Sequence, residues 1–342
     1  MEPIEKFIAQ PSAAYAVDPK YFKYYADLRD APRTGDMIYG EIARVSDDSY
    51  LENKSGRLHL IQDGTRGLFV MGNRYAPDYF EGYVPSSYVR EVDLLERSGV
   101  VGLVKTKNSA RKDPTRIRVL GYVCHKDGTI VNTRDHSLIH PRQSVKKEPR
   151  ARMVLVCGTA MNSGKTMAAA ACCRVLSALG HKVYAAKITG MASLKDLFAM
   201  NDAGAEECAD FTRFGHPGTY LLEKSDLLEI FDKLDLQYAG NSRDYWVVEL
   251  ADGIIQRETA MLLESPAVQS RIHRLVFCAA DAFGAIGGLR ILKEHFHLEP
   301  DMISGVCSSS PLHIRELSDF TDIPVFNSLE ADVQELRGCL GL

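Results

Sequence analysis

The sequence lacks any unbroken apolar run of about 18 residues; its most apolar stretches are cut by Lys165 and Asp281, so no membrane-spanning helix is expected. It also lacks a C-x-x-C pair. The eight cysteines are scattered, with only Cys172 and Cys173 adjacent, which fits a reducing, cytoplasmic setting better than a disulfide framework. A strong charge imbalance is missing too. Lys and Arg number 41 against 45 Asp and Glu, and a net charge of −4 gives no reason to expect a nucleic-acid or membrane-surface partner. The basic stretch 141–152 (PRQSVKKEPRAR) is short and has no interleaved aromatics of the stacking kind. Neither repeats nor low-complexity segments occur. The first ten residues, MEPIEKFIAQ, carry two Glu and no apolar core, unlike a secretory signal. What is present is an ordinary globular composition, 45% hydrophobic and 25% charged, in 342 residues, enough for two domains.

The patterning changes near residue 150. Before it, short β-like runs lie at 37–45, 57–61, 67–71, 99–105 and 116–124, punctuated by Asp63-Gly64, Gly72-Asn73 and Asp127-Gly128. That spacing predicts a small, mostly antiparallel sheet or barrel over 36–140. Residues 1–35, with four tyrosines, read as a helical or irregular lead-in, and 141–152 as a linker. From 153 to 342, apolar strands at 153–157, 183–187, 245–249, 275–279, 303–307 and 323–326 alternate with helical patterns. Continuous apolar strands bounded by helices predict an α/β domain, a doubly wound and mostly parallel sheet covered on both faces. Ligands in such folds sit beyond the carboxyl ends of the strands, so the residues there are the ones to inspect.

The first of these strands runs into Gly158-Thr-Ala-Met-Asn-Ser-Gly164-Lys165-Thr166 and then an Ala-rich helix ending at Gly180. Strand, Gly-bounded loop, Lys-Thr and helix form a phosphate cradle, the mark of a P-loop NTPase. Backbone N–H groups of Gly158, Thr159, Asn162, Ser163 and Gly164 and the helix N-terminus hold phosphate oxygens, Lys165 reaches the outer phosphates, and the Thr166 hydroxyl ligates Mg²⁺. Five residues, one more than usual, separate the two glycines. Glu249 closes the apolar run of a later strand, where a carboxylate facing a phosphate loop would serve Mg²⁺, or would simply be a solvated strand-end acid. Lys187 also ends a strand. It reads either as a cation orienting an anionic substrate or as a surface lysine. Asp202 is a metal-ligand candidate, but Asp196, Glu206, Glu207 and Asp210 crowd the same stretch and any of them could serve instead.

The G-T-x-x-x-x-G-K-T loop resembles that of the dethiobiotin synthetase family, within the deviant-Walker NTPases. Lys187-Ile-Thr-Gly190 looks like the family's K-P-x-x-S-G segment, Asn201-Asp202-Ala203 like its S-D-A step, and Asp244-Tyr-Trp-Val-Val-Glu249-Leu-Ala-Asp252-Gly253 like its D-x-x-x-x-E-G-A-G-G. The resemblance covers most of 151–330. It implies ATP and Mg²⁺ as cofactors, with Thr166, Asp202 and Glu249 on the metal and Lys187 on the acceptor. The γ-phosphoryl group would pass to a carboxylate or carbamate of a small molecule, in a homo-oligomer. The chain departs from the family in its leader of about 150 residues and in Leu250-Ala251-Asp252-Gly253, which adds a carboxylate. Asp252 is then a candidate general base, a support to the metal's ligands, or a specificity residue. Where the family carries an adenine-reading asparagine, this chain has Cys307-Ser308-Ser309-Ser310-Pro311. Ser309 is the candidate nucleotide contact there; alternatively these serines cap the next helix, with Ser310 at the N-cap and Pro311 at N1.

Two other functions use the same loop. One is a coenzyme A-dependent N-acyltransferase, the other a nucleotide-gated switch with the β-rich domain as effector surface. Outside the loop, Arg74 in the 72–82 segment is a candidate ligand contact or part of a plain inter-strand loop. His136 and His140, four apart with Cys124-His125 upstream, could be drawn as a zinc site, but Pro141 cuts any helix there and no second pair has metal spacing, so they read as loop histidines. Cys157, Cys278 and Trp246 read as core.

Overall fold

The computed structural model describes residues 1–5, 7, 9–140 and 150–342. Most of the 141–152 linker therefore lies outside the described residues. The chain forms two compact units: Met1–Ile139 with Met191–Leu194 and Phe211–Leu221, and His140–Gly190 with Lys195–Asp210 and Leu222–Leu342.

The first unit is built on five strands: β1 (Met37–Arg44), β2 (Arg66–Met71), β3 (Glu91–Glu96), β4 (Val100–Lys107) and β5 (Arg116–Cys124). β1 pairs with β2, β3 with β4, β3 with β5 and β5 with β1, all antiparallel, while β2 and β4 run parallel. The ring closes, so these five strands form a small barrel with no free edge between them. Alternation along the strands turns Ile38, Ile42, Phe69, Val92, Leu94 and Ile117 inward as one apolar core. The lead-in is not helical. It makes two 3₁₀ turns, at Ser12–Ala14 and Pro19–Tyr21, and a short strand, Tyr24–Ala26, that pairs with β5. Two segments from the later half of the sequence complete this unit. The Leu194 N–H donates to Glu52 Oε1 (3.1 Å), which also accepts from Ser12 (2.6 Å). The Thr133 hydroxyl donates to the Gly215 carbonyl (2.6 Å), and the Tyr220 hydroxyl to Glu81 (3.0 Å).

The second unit carries β6 (Arg152–Gly158), α1 (Lys165–Ala178), β7 (Val183–Lys187), α2 (Leu194–Asp202), β8 (Glu207–Asp210), α3 (Lys224–Tyr238), β9 (Tyr245–Glu249), α4 (Arg257–Leu263), β10 (Ile272–Cys278), α5 (Ala282–Ile291), β11 (Met302–Ser304) and α6 (Pro311–Ser318). The strands lie in the order β8-β7-β9-β6-β10-β11, all parallel. From β6 the chain moves one way to β7, and from β10 it moves the other way to β11. With crossovers of the usual right hand, helices fall on both faces, the doubly wound arrangement, in keeping with the burial of every residue of β9. The expected strand at 323–326 is reduced to a single parallel bridge between Val325 and Ile303. Pro324 has no N–H to extend the pairing. The sixth strand is instead β8, short and ending in Asp210. No helix among the described residues is long and apolar enough to cross a membrane.

The entry to β6 is pinned by charge. Asp235 on α3 is wholly buried, pairs with the buried Arg150, and accepts from Arg271 (3.2 Å). Removing one partner leaves a guanidinium in the interior without its counter-charge. Asp235→Ala is expected to cost about 3–5 kcal/mol in urea unfolding. A loss below about 1 kcal/mol, the level of an exposed pair, would show that the cluster does not anchor this unit.

Candidate functional site

The phosphate loop leaves β6 at the centre of the sheet, between the carboxyl ends of β9 and β10. Thr159 N–H donates to the Cys278 carbonyl (2.9 Å) and Ile254 N–H to the Gly158 carbonyl (2.9 Å), so the loop base is tied to both neighbours. Asn162 (φ 61°) and Gly164 (φ 94°) turn the chain in the left-handed region, and α1 begins directly afterwards. The loop is gripped at close quarters. A Cβ on Gly253 would lie 2.3 Å from the Thr159 carbonyl oxygen, and one on Gly305 (φ +100°) 2.2 Å from that of Ser163. Val306 N–H donates to this same Ser163 oxygen (3.1 Å). The first N–H groups of α1 have no partner within the helix and are available to an anion.

Lys165 is buried, its Nζ donating to the Ala160 carbonyl (2.6 Å) and lying 3.5 Å from the Ser163 hydroxyl. Burial pushes its pKa down, against the pull of Glu249 and Asp252. The Thr166 hydroxyl donates to Glu249 Oε1 (3.1 Å). Glu249 is only 2% exposed, and its Oε2 is buried without a hydrogen-bond partner. Burial raises the Glu249 pKa, with Lys187 opposing. Lys187 Nζ stands 3.7 Å from Glu249 Oε1 and forms an ion pair with Asp196 on α2. For Lys187, burial favours the neutral amine, but the carboxylates of Asp196 and Glu249 outweigh it and the pKa is raised. For Asp196, burial favours the acid, yet Lys187 outweighs it and the pKa is lowered.

Thr166 and Glu249 offer hard oxygen donors, and the orphaned Glu249 oxygen is a ready ligand position. No group of three or more His, Cys, Asp or Glu able to hold a metal occurs among the described residues. That donor set fits Mg²⁺, which takes one or two protein ligands and completes its shell with water and substrate phosphates.

Asp202, expected on the metal, stands elsewhere. It is the exposed last residue of α2, six positions beyond Asp196 and so about 9 Å further along the helix axis. Asp196, one of the alternatives in that stretch, is the carboxylate beside Lys187. Asp252 is half-buried in the left-handed region (φ 57°), and both Lys165 and Lys187 feel its charge. Two threonines that sequence reasoning missed hold its loop. Thr189 Oγ1 accepts from Ala251 N–H (2.8 Å), and Thr259 Oγ1 donates to the Ala251 carbonyl (2.7 Å). Only the place of Thr189, two residues after Lys187, hinted at this. Ser309 is exposed in a 3₁₀ turn, and the capping alternative describes its neighbour: Ser310 is the N-cap of α6 with Pro311 at N1. Cys157 is core, its thiol pushed up to about 12 by burial. In the first unit, Arg74 is buried, its Nη2 2.7 Å from Glu96 Oε2, and His125 and His136 pack on Tyr21.

No protein-family model matches this chain, and no curated protein does. Among solved structures it is similar to the signal recognition particle receptor FtsY from Elizabethkingia anophelis in complex with GDP, at 13% identity and a TM-score of 0.36, covering 59% of this chain and 64% of that one. A second structure of that protein (14%, TM-score 0.36) is covered over 65% of its length, so the chain spans less than two thirds of both. FtsY from Mycoplasma mycoides matches at 14% and a TM-score of 0.34, covering 57% of this chain and 69% of that one. Likeness at this level settles neither activity nor substrate. The doubly wound sheet and its central phosphate loop are those of a P-loop NTPase fold.

Gly305→Ala places a methyl group against backbone atoms at a positive φ, and is expected to cost at least about 2 kcal/mol. Gly287→Ala, within α5 and meeting nothing within 4 Å, should be neutral or stabilising by up to about 1 kcal/mol. Equal thermal stabilities of the two variants would refute the close approach as a constraint.

Proposed function

We propose that the chain binds a magnesium–nucleoside triphosphate on the 158–166 loop and transfers its γ-phosphoryl group to a carboxylate or carbamate of a small molecule. The observation that carries this reading is the convergence of Thr166 and Lys187 on the buried Glu249 beside the loop. The loop amides and the first turn of α1 bind the phosphate oxygens, and Lys165 neutralises charge on the group in transfer. Thr166 and Glu249 would hold the Mg²⁺, which would neutralise charge on the phosphates. Lys187, fixed by Asp196, orients an anionic acceptor. Asp252, its loop held by Thr189 and Thr259, is the candidate specificity residue for that acceptor. ATP is the nucleotide that the family resemblance favours.

A second reading, a nucleotide-gated switch, is favoured by one observation. The chain leaving β7 after Gly190 passes into the first unit at Met191 and returns at Lys195, beside the Lys187–Asp196 pair in sequence. Calorimetry with Mg-ATP, Mg-GTP and acetyl-CoA, followed by phosphate release and product analysis, separates the alternatives. Lys165→Ala is expected to lower turnover at least about 100-fold, and Glu249→Gln to weaken its Mg²⁺ dependence. Undiminished turnover in Lys165→Ala would overturn the phosphoryl-transfer reading. Tight nucleotide binding without turnover would favour the switch, and binding of acetyl-CoA alone the acyltransferase.

A further inference from the structure

The two sides of the phosphate loop differ in chemistry. On the β9 and β7 side stand Glu249, Lys187 and Asp196, the group suited to a metal and the outer phosphates. A nucleotide held in that sense sends its nucleoside across the loop to the other side, over the carboxyl ends of β10 and β11.

There the chain turns through Asp281-Ala282-Phe283-Gly284 into α5. Asp281 Oδ1 accepts from Gly284 N–H (2.6 Å), which fixes the first turn, and a Cβ on Gly284 would lie 3.7 Å from Thr159 Cγ2, so the turn abuts the loop. Phe283, within this pinned turn, is 86% exposed. An exposed apolar residue alone means little, but this one belongs to a turn whose backbone is fixed next to the phosphate loop. The serine segment after β11 has its hydroxyls largely engaged with its own backbone. The Ser308 hydroxyl donates to the Gly305 carbonyl (2.7 Å), and the Ser310 hydroxyl accepts from His313 N–H (3.5 Å). Two of the three serine hydroxyls there are thus engaged with nearby backbone, while recognition of a base by its face has an aromatic ring on this side.

We propose that Phe283 is the stacking platform for the nucleobase of the nucleotide held by the 158–166 loop, and that the site takes purine nucleoside triphosphates with little discrimination between them. This rests on the nucleotide reading above. Every base has a π-face, so stacking tolerates a change of base.

Calorimetry of the whole chain with Mg-ATP, Mg-GTP and Mg-tripolyphosphate tests both parts. The wild type is expected to bind ATP and GTP within about fivefold of each other. Phe283→Ala should weaken both about tenfold or more and leave tripolyphosphate unchanged, while Phe283→Tyr should retain wild-type binding. Unchanged nucleotide binding in Phe283→Ala would overturn the platform, as would an equal loss of tripolyphosphate, which lacks a base. A preference above about 100-fold for one purine would overturn the weak discrimination. If the wild type binds neither nucleotide nor tripolyphosphate, the phosphate-loop reading itself fails and the platform with it. Binding of tripolyphosphate with no gain from the nucleoside would sink the platform alone.

Discussion

A carboxylate at the end of a fully buried strand must find its counter-charge inside the sheet, and Glu249 imposes that requirement on the second unit. An ionised group taken out of water costs several kcal/mol unless it is paired and hydrogen-bonded. The parallel register supplies the partner, since Lys187 is the residue of β7 opposite Glu249. Slipping β7 by one residue would turn Lys187 to the other face of the sheet. Lys187, buried in its turn, needs more negative charge than Glu249 gives it, and Asp196 on the next helix provides it. Thr166, on the first turn of α1, occupies one Glu249 oxygen. Strand register, helix placement and loop position are thus joined through one acid.

The phosphate loop is held by a different kind of constraint. Its neighbours approach so closely that side chains have been removed where they would collide: Gly253 against Thr159, and Gly305 against Ser163. The extra residue between Gly158 and Gly164 is accommodated in a loop where Asn162, a residue type that tolerates the left-handed region, takes a positive φ. Positive φ at Asp252 as well places strained, non-glycine backbone on two sides of the same cradle, where such conformations tend to gather around function.

The strand–loop–helix around Lys165 and the long apolar strands were legible because each is a local pattern: an apolar run, two glycines and an alanine-rich helix contiguous in sequence. The short strands were not. Glu91–Glu96 interleaves acids with Val92, Leu94 and Leu95 on a strand that closes the barrel, and Glu207–Asp210 is four residues long with acids at both ends. Conversely, Ile323-Pro-Val-Phe326 looks like a strand, but its proline limits it to one bridge. At the site, Glu249 and Lys187 were readable from their places at strand ends. Choosing among the carboxylates of α2 required the helix's direction and length, which bring in Asp196 and leave Asp202 a turn and a half away. Thr189 and Thr259 act on the backbone of Ala251, a contact across 62 residues in one case and 8 in the other, and nothing in the pattern of the sequence marks it.

The two segments that the first unit draws from the later half of the chain, 191–194 and 211–221, change what it means to speak of domains here. The barrel is not an appendage that a cut near residue 150 would release intact. Such a fragment would lose the hydrogen bonds of Glu52 to Leu194, Thr133 to Gly215 and Glu81 to Tyr220, and the complementary fragment would carry two loops without their own platform. The units are interlaced in sequence while compact in space. Exchanging the barrel would mean replacing three stretches of chain at once.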